Sequence, residues 1–168
     1  METSRYFFAL WPNPVVCQQL AQLQASFPQG RLTHRSDFHL TLAFLGTLAK
    51  HQVQAAVDIL HALPRASFEL QLDTVASFER IGLTWAGPTI VPPELQQLHD
   101  LLGRCLTQQG IWWDDQHGFV PHITLARKLL WPRRHLAAPI FWQADRVVLA
   151  CSQPQLSGAK YRIVASHD

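Results

Sequence analysis

The sequence predicts an α+β fold made of two similar halves. Three observations point to it. Aromatic-rich or alternating apolar stretches, which read as strands, are separated by stretches with apolar residues at helical spacing. The order strand, helix, strand runs from Arg5 to Gly46 and again from about Ile81 to Arg127. Both runs end in one phrase: His39-Leu40-Thr41-Leu42 and His122-Ile123-Thr124-Leu125.

The elements follow in order. "RYFFALW" (Arg5 to Trp11) reads as a buried strand closed by Pro12. Asn13-Pro14 is an N-cap followed by proline at the first helical position. Val16, Leu20, Leu23 and Phe27 then mark a helix that "FPQG" stops. A loop leads to the strand "FHLTLAFLG". "HQVQAAVDILHAL" reads as a helix ended by Pro64, and "FELQLDTVASF" and "IGLTWAG" as strands. Pro92-Pro93 opens a helix to about Gln108, with Leu95, Leu98, Leu102 and Leu106 on one stripe. Gly110 follows it. The strand "FVPHITLAR", a proline-containing connection, and the strands "DRVVLACS" and "KYRIVAS" complete the chain.

The bulk numbers set limits. The 168 residues fit one domain with two lobes, and no linker or low-complexity segment divides them. With 48% hydrophobic and 15% charged residues, a packed core is expected and global disorder is not. A net charge of +2 argues against a protein that coats DNA, yet allows a short anionic substrate. Cys17, Cys105 and Cys151 form no C-x-x-C pair, which favours free thiols in a reducing compartment. The N-terminus lacks a signal-peptide layout and no apolar run reaches the roughly 20 residues of a membrane span. A cytoplasmic monomer is the expectation.

The repeated phrase carries the function. With 9 His, 9 Thr and 24 Leu in the chain, roughly 0.03 chance copies of His-apolar-Thr-Leu are expected. Two copies argue for duplication. On a strand, residues i and i+2 share a face. His39 and Thr41 therefore point one way and Leu40 and Leu42 the other; His122 and Thr124 repeat the pattern. Two imidazoles can share acid and base work at neutral pH. Two hydroxyls can donate to phosphate oxygens. A phosphodiester suits that set.

Four stretches, "RYFFALWP", "HLTLAFLG", "FVPHITLAR" and "GAKYRIV", make the chain resemble the two-histidine phosphoesterase superfamily. Within it, the RNA 2′,3′-cyclic phosphodiesterase (2′-5′ RNA ligase) family is the better match. The resemblance implies a bilobal, pseudo-twofold α+β fold with two antiparallel sheets facing a central cleft and helices outside. It implies metal-independent, cofactor-free opening of a 2′,3′-cyclic phosphate at an RNA end, leaving a 2′-phosphate, with 2′-5′ joining as the reverse type of reaction. His39 and His122 would be the acid–base pair, with His39 as the acid on the leaving O3′ and His122 as the base, a split the pseudo-symmetry allows to be inverted. Thr41, Thr124 and Arg127 would hold the phosphate, and Phe8 would stack on the nucleobase. Strict alternation from His122 puts Arg127 on the apolar face, so a bend or bulge must turn it back. The first copy has Phe44 at that place.

Other readings have weaker support. His117 with His122, Asp114 and Asp115 fits no metal-ligand spacing. Trp112-Trp113 reads first as packing, "RKLLWPRR" as a solvated basic loop that can track RNA. The remaining histidines are expected on surfaces or in caps. No G-x-S-x-G and no P-loop occur. Alternatives are a phosphodiesterase on 2′-5′ oligonucleotides or ADP-ribose cyclic phosphate, or a non-catalytic RNA-end-binding module.

Overall fold

A computed structural model describes residues 3–167. Its strands are β1 (Tyr6–Leu10), β2 (Arg31–Leu32), β3 (Leu40–Gly46), β4 (Phe68–Phe78), β5 (Leu83–Gly87), β6 (Ile123–Arg127), β7 (Arg134–Ala144), β8 (Val147–Ser152) and β9 (Tyr161–His167). The helices are α1 (Pro14–Gln24), α2 (Lys50–Ala62) and α3 (Pro93–Gln108). All strand pairs are antiparallel.

The helix signals hold. The Asn13 side chain accepts from the Val16 amide at 2.9 Å and caps α1 ahead of Pro14. The α1 helix ends at Gln24, short of Phe27. Leu95, Leu98, Leu102 and Leu106 of α3 are all buried, each worth about 1.5–3 kcal/mol of apolar transfer. Gly103 lies beneath the Trp113 ring, where an added Cβ would sit 2.5 Å from a ring carbon. Trp113 is thus packing, while Trp112 is exposed.

The strand order is β7-β4-β5-β6-β3-β1-β8-β9. It reads as two four-stranded halves in mirrored order, β7-β4-β5-β6 and β9-β8-β1-β3. The motif strands β6 and β3 meet in the middle through one pair, Leu40 with Ile123. The helices cross over. The α1 helix follows β1, on the way to β2 and β3, yet packs on β6 and β7 of the other half. The α3 helix joins β5 to β6 yet packs on β3.

The main core lies on the helix side of the sheet and includes Phe8, Leu10, Leu40, Leu42, Ile123, Leu125 and the fully buried Trp142. Two small clusters lie on the opposite face. One holds Phe7, Ala9, Val148 and Ala150 with Trp11, Tyr161 and Ile163. The other holds Ala76, Leu83 and Trp85 with Phe78. This second face carries the motif histidines and forms the cleft.

Two strands escape the sequence reading. The two-residue β2 lies in the stretch read as a loop, and β7 replaces the proline-containing connection. Proline cannot donate to a ladder, so it is confined to edges and bulges. Strand β7 is the edge strand of its half, and Pro139 falls where the β4 register jumps from Leu72–Ile140 to Thr74–His135. The ladder resumes on both sides of it.

Candidate active site

Each motif histidine sits one residue ahead of its strand. Each is held by the same local bond: His39 Nδ1 lies 2.7 Å from the Asp37 carbonyl, and His122 Nδ1 lies 2.7 Å from the Val120 carbonyl. A carbonyl only accepts, so each Nδ1 carries the proton and Nε2 is left as the working nitrogen. His39 Nε2 is 3.1 Å from Thr41 Oγ1, which donates to it when the ring is neutral.

The Leu40–Ile123 pair sets the register between the motifs. The strands run antiparallel, so one step from that pair brings His39 across from Thr124 and Thr41 across from His122. All four side chains are half-buried.

Arg127 reaches the same face through a bulge. Thr84 pairs with Ala126 but Trp85 pairs with Thr124, leaving Leu125 as the extra residue. The strand's phase is reset, and Arg127 comes opposite Leu83, in the Trp85 cluster. The first motif has the same bulge: Phe8 pairs with Ala43 and Ala9 with Thr41, leaving Leu42 extra. Phe44 then comes opposite Phe7 on the cleft face.

The surroundings are unequal. His39 is boxed by Trp11, stacked at 5.3 Å and 10°, by Phe7 at 4.8 Å and by the edge of Tyr161 at 5.3 Å. Burial pushes its pKa down to about 4, the Asp37 carbonyl opposes this, and the His122 and Arg127 charges add to it. His122 meets Phe78 edge-on at 4.9 Å and Trp85 at 6.1 Å. Its pKa is also lowered, by burial and then by Arg127, with the Val120 carbonyl opposing. Burial raises the Tyr161 pKa, and the Arg127 guanidinium across the cleft pulls it back.

Phe8 requires a correction. It is fully buried in the main core, on the face away from the histidines, and cannot stack on a ligand in the cleft. Phe7, its neighbour, lies on the cleft face. Asp37 is a residue that sequence reasoning missed. Its buried carboxylate accepts from the Lys160 and Tyr161 amides at 2.8 and 3.2 Å, while its carbonyl orients His39. It therefore ties β9 to the first motif. The "KYR" stretch and the Asp two residues before His39 were the available signals. His99, expected on a surface or in a cap, is half-buried and donates from Nδ1 to the Leu42 carbonyl at 2.8 Å.

Among the described residues, no three His, Cys, Asp or Glu side chains gather as a ligand set, so the His117 group is not assembled. No described helix is long and apolar enough to cross a membrane.

This fold and paired site define a class, the two-histidine phosphoesterases. The chain belongs to the 2′-5′ RNA ligase superfamily, whose family model matches residues 12–153. It is 31% identical over 129 residues to the RNA 2′,3′-cyclic phosphodiesterase of Escherichia coli (strain K12), covering 75% of this chain and 73% of the relative. A protein of the same name from Geobacillus stearothermophilus is 28% identical over 137 residues, which cover 76% of this chain and 43% of the relative. The crystal structure of E. coli LigT in apo form superposes with a TM-score of 0.83 at 25% identity, covering 99% of this chain and 98% of that one. LigT complexed with 3′-AMP gives 0.84 at 25% identity, with the same coverage.

Proposed function

We propose that this protein is an RNA 2′,3′-cyclic phosphodiesterase that opens the cyclic phosphate to a 2′-phosphate by histidine acid–base catalysis. The observation that carries this reading is the register at Leu40–Ile123, which interleaves two His–Thr pairs on one face. The names of the relatives agree with it.

The chemistry then follows from the groups present. One imidazole Nε2 takes a proton from water as its oxygen bonds to phosphorus. The P–O3′ bond breaks, and the other imidazole gives O3′ a proton. The phosphate stays on O2′. Thr41, Thr124 and Arg127 donate to the non-bridging oxygens, where charge builds in the transition state. A ribose 5′-hydroxyl in place of water would give a 2′-5′ linkage by the same step.

The two halves supply different parts of the substrate site. The first half offers the aromatic side chains Phe44, Trp11 and Tyr161, with Phe7 buried against the His39 and Tyr161 rings. The second offers cations. Arg133 lies with its guanidinium 5.8 Å from the Trp85 ring, one ring beyond His122. We assign the base to the first half and the RNA chain leading to it to the second. Three free cysteines fit a reducing, cytoplasmic setting.

The test is product analysis with an RNA bearing a 2′,3′-cyclic end, in EDTA. A 2′-phosphate should form, and His39→Ala or His122→Ala should abolish turnover while the melting temperature stays near wild type. A 3′-phosphate product, or loss of turnover on chelation, would sink the reading.

A further inference from the structure

Each motif bulge has a guest from the opposite half. The extra residue of β6 is Leu125, and its carbonyl accepts Gln24 Nε2 at 2.8 Å. Gln24 is the last residue of α1, which belongs to the first half, and is 7% exposed. The extra residue of β3 is Leu42, and its carbonyl accepts His99 Nδ1 at 2.8 Å. His99 lies on α3, which belongs to the second half. Two unlike side chains thus do one job at equivalent places. We infer that Gln24 and His99 are positioning residues, each fixing the bulge that aims the other half's cleft-facing side chains.

The physical need is specific. A bulged residue is left out of regular ladder pairing, and a buried carbonyl without a donor is unfavourable. At Leu42, His99 is the side-chain donor. At Leu125, the Thr33 amide also donates at 2.9 Å, and Gln24 completes the arrangement by bonding the Thr33 carbonyl at 3.0 Å. Gln24 therefore ties β2 to β6 at the bulge.

What the bulge controls is phase. A strand that slips or regularises by one residue sends every following side chain to the other face. In β6 that would turn Arg127 from the cleft toward the helices. In β3 it would move Phe44 and loosen Thr41, the partner of His39. The His99 ring is itself fixed. It stacks on Phe119 at 4.0 Å and 4°, and Trp113 meets it edge-on. Phe119 stands three residues before His122, so His99 links the first motif to the segment that leads into the second.

The inference rests on the proposed activity for its kinetic readout, and a second readout is independent of it. In the full chain, Gln24→Met keeps the shape and removes the donor. It should lower kcat/KM on a cyclic-phosphate dinucleotide by roughly ten- to a hundredfold, the scale of a misplaced catalytic group. That loss should shrink in an Arg127→Ala background, because Gln24 acts through Arg127, and persist in Thr41→Val. His99→Phe keeps the stack and removes the donor. Its loss should shrink in Thr41→Val and persist in Arg127→Ala. His99→Asn, whose amide can stand where Nδ1 stood, should restore most of the rate. Losses equal in both backgrounds, no loss in Gln24→Met, or no rescue by Asn would overturn the inference. If wild type turns over no cyclic phosphate, the activity reading fails and amide hydrogen exchange decides. Gln24→Met must then speed exchange at Ala126 and Arg127 while β3 keeps its protection; unchanged β6 protection overturns the inference.

Discussion

Phe44 and Arg127 occupy equivalent places in the two halves. Each stands three residues past its motif threonine, just beyond a bulge, on the face that carries the histidines. One is apolar and the other cationic, so a symmetric scaffold presents one cation beside the histidines. Charge-assisted hydrogen bonds are worth about 1.5–3 kcal/mol. Arg127→Ala should therefore lower kcat/KM by about ten- to a hundredfold in steady-state assays. Arg127→Lys should recover only part, because the planar fork is lost. Unchanged kinetics in Arg127→Ala would remove this residue from the site.

The histidine environments set a pH profile. A mechanism with one neutral and one protonated imidazole gives a bell in kcat/KM that reports the free enzyme. With His39 held at about 4, this profile takes His39 as the neutral base that sets the acid limb and His122 as the acid, the inverted form of the split the resemblance implies. His122 is held below 6.5, which sets the alkaline limb. The optimum should lie on the acidic side of the ordinary histidine value. Stability has a matching sign. The unfolded chain binds a proton at His39 near 6.5 and the folded chain refuses it until about 4. The His39 contribution is therefore intact above 6.5 and lost as pH falls toward 4. His39→Gln should flatten that part of a melting-temperature profile. A rate optimum above pH 7 would contradict the assignment.

The sequence carried most of the site and part of its scaffold. The paired phrases fixed which residues share a face, because strand alternation is a local rule. Arg127 even announced the bulge, since without one it would point into the core. Other features were hidden. Strand β7 was hidden by prolines whose cost depends on edge position, which only the assembled sheet defines. The phase of "YFFAL" was hidden because both faces of β1 are apolar, so alternation gives no signal. Gln24 and His99 were hidden because their partners come from the opposite half, and no local pattern reports a contact of that kind.

Arg133 offers a test of substrate length. It stands just ahead of β7 with its guanidinium over Trp85, the residue that pairs with Thr124 on one side and Ala76 on the other. A mononucleotide cyclic phosphate would engage the motif residues alone. A longer RNA would also set an upstream phosphate near Arg133. Arg133→Ala should therefore raise KM several-fold for an oligonucleotide and leave a mononucleotide nearly unchanged. The oligonucleotide's salt dependence should also weaken, as one phosphate contact is lost. Equal effects on both substrates would rule out the longer path.

Phe7 and Phe8 separate packing from chemistry within one dipeptide. Phe8 is fully buried among the core residues on the helix side. Truncating such a side chain removes transfer energy and leaves a cavity, at about 3–5 kcal/mol. Phe8→Ala should lower the melting temperature strongly, yet keep kcat/KM near wild type when assayed well below it. Phe7 packs against the His39 ring at 4.8 Å and against the Tyr161 ring at 5.1 Å. Phe7→Ala should let water reach the imidazole and relieve the burial that depresses its pKa. The acid limb of the rate profile should then move up from about 4 toward the ordinary histidine value. Melting curves and pH profiles of the two variants, measured side by side, check both halves of the prediction. A shift of the acid limb in Phe8→Ala, with none in Phe7→Ala, would show that the wrong face of β1 had been given to the site.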